Sequence, residues 1–254
     1  MAKKTRPVSH VVIPDCQVRP GVPTSHLEAA GNYIADKRPD VIVHLGDHWD
    51  FPSLSSYEDK GSAYFHDKSY KEDVEAGNAA MARLLAPVRA RKGYRPRLVF
   101  CMGNHEHRVE RAVHANPVLK GAIGYQDLAL EAWEVRKYLH PVVIGGVHYC
   151  HLFHNPQSLM GAILGGNIDN RLNKLKHSFT MGHQQVRLWG SQYTGEGREI
   201  MGLVCGSFYQ HHEDYRGPQS NKHHWRGIIH KHEVSGGRYD PSFISLKYLL
   251  KRWL

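Results

Sequence analysis

Apolar residues occur along this chain in short runs, most of them closed by glycine or by a polar group. Val11-Val12-Ile13-Pro14, Val41-Ile42-Val43-His44-Leu45 and Leu98-Val99-Phe100-Cys101-Met102 are too short for buried helices and read as buried strands. They predict strands over 8–15, 40–46 and 97–102. Between the first two, Leu27, Ala30 and Ile34 share one helical face, and Ser25 and Glu28 have capping-box spacing. A helix over 25–37 is expected to close before Pro39. A strand–helix–strand unit of this kind makes a right-handed parallel pair and brings both strand ends to one edge. A second helix starts near 71, with Val74, Met81, Leu85 and Val88 at helical spacing.

Residues 107–139 read as mostly helical, broken near Asn116-Pro117. Two apolar runs joined by Gly145-Gly146 predict a hairpin, and the second run ends at His151. A broken helix over 158–176 leads to a short strand at 178–181, which ends in Gly182-His183-Gln184-Gln185. Beyond it the pattern predicts strands at 198–205, 226–234 and 242–250. Residues 51–70 are aromatic, polar and aperiodic, and are expected to form a loop or lid over a crevice. Residues 8–254 are read as one domain behind a disordered basic lead-in, 1–7.

Composition narrows the possibilities. The formal net charge is +9, with 20 histidines, which favours anionic partners and raises the prospect of metal chemistry. The cysteines Cys16, Cys101, Cys150 and Cys205 are far apart in sequence and lie mostly in or after strands, so reduced thiols and a cytoplasmic setting are expected. No apolar run approaches the roughly 20 residues of a membrane span.

Three predicted strands thus end in Asp15-x-Gln17, Gly46-Asp47-x-x-Asp50 and Gly103-Asn104-His105-Glu106, and later ones in His151 and Gly182-His183-x-Gln185. Ligands in open α/β sheets bind beyond the carboxyl ends of strands, so these carboxylate, amide and imidazole groups can converge on one metal-binding crevice. Their order closely resembles the calcineurin-like metallophosphoesterase family, whose pattern is D-x-H, G-D-x-x-D, G-N-H-E, H and G-H-x-H. The resemblance spans roughly residues 8–205. It implies a four-layer α/β/β/α fold (a β-sandwich flanked by helices) with a two-metal site at the strand ends. It also implies Asp47 as the bridging carboxylate, Asn104, His151 and His183 as the remaining ligands of one metal, and Asp15 as a ligand of the other. His105, oriented by Asp50, takes the role of proton donor or electrostatic stabiliser at the phosphate.

Two positions depart from the pattern. Gln17 and Gln185 stand where the family has histidines, and both belong to the metal held by Asp15. An amide oxygen is a poorer donor than imidazole to borderline metals, so a weakened first site is expected. One or two divalent ions are implied, with manganese placed first and iron, zinc, nickel or magnesium as alternatives. His48 and Arg108 flank the site as candidate substrate-binding residues. Residues 206–226 interleave histidines and aromatics with arginines, a composition that suits a loop closing the site or a nucleic-acid groove. The reading favoured is a phosphodiesterase acting on nucleotides or nucleic acid. The alternatives are a phosphomonoesterase and a catalytically silent, metal-containing nucleic-acid-binding protein.

Overall fold

The computed structural model describes residues 8–55, 68–212 and 223–254; the lead-in 1–7 and parts of the expected lid and histidine-rich loops lie outside them. Strand β1 (Val8–Ile13) continues through helix α1 (Ser25–Lys37) into β2 (Val41–His44), helix α2 (Tyr70–Ala90) and β3 (Arg97–Cys101). The three strands pair in parallel, with Val12 opposite Val43 and Val43 opposite Val99. Among the described residues they form the middle of a six-stranded sheet in the order β11-β10-β1-β2-β3-β4. Strands β4 (Glu134–Arg136), β10 (Gly227–Ser235) and β11 (Arg238–Ser245) complete it. A five-stranded sheet faces it, ordered β5-β6-β7-β9-β8. Its members are β5 (Val142–Ile144), β6 (Val147–Cys150), β7 (Phe179–Met181), β8 (Arg187–Tyr193) and β9 (Glu199–Cys205).

The central strands β1, β2 and β3 read as unbroken apolar runs because both faces of the sheet are covered there. Val12, Val43 and Val99 meet Tyr149, Leu203 and Cys205 between the sheets. Val11, Ile13 and Phe100 pack outward with Leu27, Ile34, Leu84 and Leu85 of α1 and α2. On the far side Leu172 of α4 (Ile168–Leu175) packs with Phe179, Met181 and Val204. The expected four-layer arrangement is therefore present. Helices α1 and α2 approach closely at Gly31, where a Cβ would lie 2.4 Å from the Leu84 carbonyl oxygen.

Four local expectations differ. First, α1 takes Thr24 as N-cap with no side-chain cap bond, and the Ser25 hydroxyl donates instead to Gln210 Oε1. Second, only His107–Ala115 (α3) is α-helical within 107–139. Tyr70 and Asn78 of α2 hydrogen-bond Asp127 and Ala129, which hold the following chain in turns, and β4 then extends the sheet beside β3. Third, the last predicted strand is in fact the end of β11 followed by α5 (Leu246–Trp253), whose amide at Tyr248 is capped by the Ser245 hydroxyl. Fourth, the helix expected over 158–176 is confined to α4, and β8 had no counterpart in the sequence reading.

One buried cation is unusual. Lys231 of β10 is fully buried between the sheets, bonded to the Thr180 hydroxyl and placed over the rings of Tyr149 and Tyr239. Burial pulls its pKa down to about 7. The unfolded chain then holds more protons than the folded one above that value, so this group's contribution makes stability rise as pH climbs from about 7 toward the ordinary lysine range. Lys231→Met is expected to stabilise the protein by about 2–4 kcal/mol at pH 6, the ring contacts offsetting part of the burial penalty. That gain should shrink toward zero near pH 10. Urea unfolding at the two pH values measures the difference, and an equal gain at both would refute the burial argument.

Candidate metal centre

Parallel pairing in register sets Asp15, Asp47 and Asn104 beyond adjacent strand ends of one sheet. His151 and His183 follow β6 and β7, which pair in parallel in the other, with Cys150 opposite Met181. The sandwich brings both sets together. His151 Nε2 lies 3.3 Å from Asp47 Oδ2 and 2.8 Å from Asn104 Oδ1, and His183 Nδ1 lies 2.7 Å from the same amide oxygen. Asp47, His151 and His183 are placed to share one metal ion.

The hydrogen bonds around this cluster define its chemistry. His151 Nδ1–H donates to the Leu45 carbonyl at 2.7 Å, which turns its Nε2 lone pair toward two acceptor oxygens. Acceptors at that spacing repel unless a cation or a proton lies between them. Burial lowers the His151 pKa, but the Asp47 charge outweighs burial and raises it to about 9. Burial would likewise raise the Asp47 pKa, yet His105 and His151 hold it well below the usual carboxylate range. A donor set of carboxylate, amide oxygen and two imidazoles fits a divalent ion of borderline character.

The backbone is bent to build this cluster. Gln17, Asp47 and His183 have φ of 44°, 48° and 63°, left-handed values rare for residues with side chains and found where a site demands them. Glu106 anchors the loops: its carboxylate accepts N–H bonds from Gly103, Asp47, His48 and Trp49 at 2.7–3.2 Å. Burial and the Asp47 charge push its pKa up, and the His151 charge and the Gly103 and Asp47 N–H groups oppose them. Gly103 has no alternative, because a Cβ there would lie 2.1 Å from Asp47 Oδ1.

Around the cluster, His105 Nδ1 sits 2.9 Å from Asp50 Oδ1, and its Nε2 faces the centre at 3.7 Å from Asp47 Oδ2. Burial lowers the His105 pKa, but Asp47 and Asp50 outweigh it and leave it raised. Arg19 bonds the other Asp50 oxygen at 2.8 Å, and Arg108 Nη2 reaches His105 Nε2 at 3.3 Å. The sequence reading did not include Arg19; a lone arginine in a turn carries no motif.

Asp15 accepts the His183 N–H at 3.0 Å through Oδ1, while its buried Oδ2 has no hydrogen-bond partner among the described residues. Burial raises its pKa. Nearby, Gln185 Nε2 donates to Gln17 Oε1 at 3.0 Å, and Gln185 Oε1 accepts from the Tyr209 hydroxyl at 2.6 Å. The two amides that replace imidazoles are thus bonded to each other.

His48 lies apart from the residues it was grouped with. Its ring is fully buried, with Nε2–H donating to Gly77 O at 3.0 Å and Nδ1 3.1 Å from His44 Nε2. Cys16 Sγ is 3.5 Å from the same His44 nitrogen, so Cys16, His44 and His48 form a second cluster of metal-ligating types. The Gly46 N–H, however, points at His44 Nδ1, which puts the His44 proton on Nε2 and leaves no lone pair facing the cluster. This is a neutral hydrogen-bonded chain in the core, and His48, buried with both ring nitrogens engaged there, offers no face to a substrate.

The sequence profile of the calcineurin-like phosphoesterases matches residues 11–235. The Gene 54 protein of Mycobacterium phage D29 is 39% identical over 98 residues, 39% of this chain and 36% of that protein. That of Mycobacterium phage L5 is 35% identical over 104 residues, 41% and 38% of the two chains. The matched region spans little more than a third of these curated relatives. Among solved structures, the E. coli phosphoesterase Yfce superposes with a TM-score of 0.42 at 12% identity, covering 93% of this chain and 100% of its own, a likeness too distant to argue from.

Proposed function

The chain belongs to the calcineurin-like phosphoesterase family, and on that premise we propose that it hydrolyses phosphate esters at the Asp47–Asn104–His151–His183 cluster. The observation that carries this reading is the convergence of these four side chains, with His151 Nε2 at 2.8 Å and His183 Nδ1 at 2.7 Å from Asn104 Oδ1, and His151 Nε2 at 3.3 Å from Asp47 Oδ2. These four residues would hold a divalent ion, manganese in the first instance, which when bound would neutralise charge on the phosphoryl oxygens and acidify water. Asp15 and Asp47 offer a second, weaker position, because Gln17 and Gln185 engage each other.

The protein's own groups do the rest. His105 holds its Nδ1–H on Asp50 and presents Nε2 to the centre, where it serves the leaving oxygen as proton donor or as a fixed positive charge. Asp50 is itself steadied by Arg19, and burial notwithstanding, the His105 and Arg19 contacts bring its pKa down to about 2. It therefore remains ionised and keeps the imidazole oriented. Arg108 adds a cation beside His105, suited to a non-bridging phosphate oxygen. A phosphodiester of a nucleotide or nucleic acid is the favoured substrate, supported by the net charge of +9.

Hydrolysis of bis(p-nitrophenyl) phosphate with added manganese tests the proposal. The wild-type protein should turn it over, and His105→Ala should lower kcat by roughly 10²–10⁴-fold, the usual span for a lost acid–base group. No turnover with any divalent ion, on this ester or on its monoester analogue, would leave the silent binding protein as the better reading.

A further inference from the structure

Strand β8 carries a face that the sandwich does not cover. It pairs antiparallel with β9, with Arg187 opposite Cys205, Trp189 opposite Leu203 and Ser191 opposite Met201. Residues opposite one another on paired strands project to the same side, and Met201, Leu203 and Cys205 belong to the core between the sheets. Arg187, Trp189, Ser191 and Tyr193 therefore lie on the inner face of their sheet. The facing sheet ends at β11, however, and beyond that edge Trp189 is 45% and Tyr193 70% exposed. At the near end the Arg187 guanidinium is stacked over Trp225 at 5.0 Å and Phe243 at 4.6 Å, and Trp189 stands 6.5 Å from Phe243.

This strip starts at the candidate centre. Arg187 is two residues beyond Gln185, and the Trp225 N–H donates to the Gln185 carbonyl at 3.1 Å. From there to Tyr193 it runs about 20 Å at the usual rise of a strand.

The geometry points to a binding track for single-stranded nucleic acid, with unpaired bases stacking on Trp189 and Tyr193 and the strand's phosphates drawn to Arg187. It rests on the proposed phosphoesterase reading for its substrate class. Exposed rings alternating along one strand face accept any base, and a fixed guanidinium among them suits a polyanion. Charge also separates this occupant from a second copy of the chain, since two molecules of net charge +9 repel while a polyanion is attracted.

Fluorescence anisotropy of a labelled phosphorothioate oligothymidylate, with the manganese-loaded full chain, tests the track. Wild-type protein should bind, more weakly as salt rises. Trp189→Ala/Tyr193→Ala should lose affinity by about tenfold or more, whereas Trp189→Phe should retain most of it. Turnover of the small bis-ester should be unchanged in all three. Undiminished binding by the double variant, equal loss in Trp189→Phe and Trp189→Ala, or no binding by the wild type would each overturn the track. So would a wild-type dimer that the double variant converts to monomer, which would make this face a self-association surface. If the binding pattern holds but no protein hydrolyses any ester, the phosphoesterase proposal fails and the track survives.

Discussion

Asp47→Ala is expected to abolish tight manganese binding and to lower ester hydrolysis by about three orders of magnitude or more, the several kcal/mol that a metal centre supplies to a phosphoryl transition state. Asp47 is the negative group of the cluster, 3.3 Å from His151 Nε2, and its Oδ1 also fixes the His105 amide at 2.9 Å. Metal analysis of purified protein should find one tightly held ion per chain in the wild type and none in the variant. A thermal melt gives an independent reading: manganese should raise the wild-type Tm and leave that of the variant unmoved, because only a ligand bound by the folded state stabilises it. Two tightly held ions in the wild type would contradict the weakening assigned to Gln17 and Gln185. A variant that kept its ion and its activity would remove Asp47 from the centre altogether.

The second large effect is expected at Glu106. Glu106→Ala strips the acceptor from four buried N–H groups in the two loops that carry Asp47 and Asn104, and should destabilise the fold by about 3–5 kcal/mol. Glu106→Gln is the more telling change. Its shape is preserved, but one amide NH₂ must then face either Gly103 and Asp47 or His48 and Trp49, so donor opposes donor. We expect most of the alanine penalty to persist, measured by urea unfolding, together with a loss of ester hydrolysis as the loops relax. Near wild-type stability in Glu106→Gln would show that the carboxylate is not the acceptor these loops depend on.

Comparison of chain and structure shows where local information suffices. Strands β1, β2 and β3 and the β5–β6 hairpin lie where the apolar runs place them, because a strand covered on both faces leaves a continuous hydrophobic signature. His151 follows a strand whose Val147 and Tyr149 alternate into the core, and its Nε2 faces Asp47 at 3.3 Å. The helical reading of 116–139 failed because Tyr70 and Asn78, some fifty residues upstream, capture that segment's polar groups. The last strand was drawn too long because Leu246, Leu249 and Leu250 fit a helical face and an extended run about equally well.

By itself, then, the sequence determined the ends of β1, β2, β3, β6 and β7 and the kinds of side chain they deliver, since both are set by residues within a few positions of one another. It also carried the order of ligands that marks the family. Only the tertiary structure decided that Gln17 and Gln185, 168 positions apart, bond to each other, that His48 turns into the core, and that Glu106 gathers four amides. It alone left the inner face of β8 open. Each of those outcomes depends on groups distant in the chain meeting, or failing to meet, in space, and such a contact imposes no period or spacing on the chain that makes it.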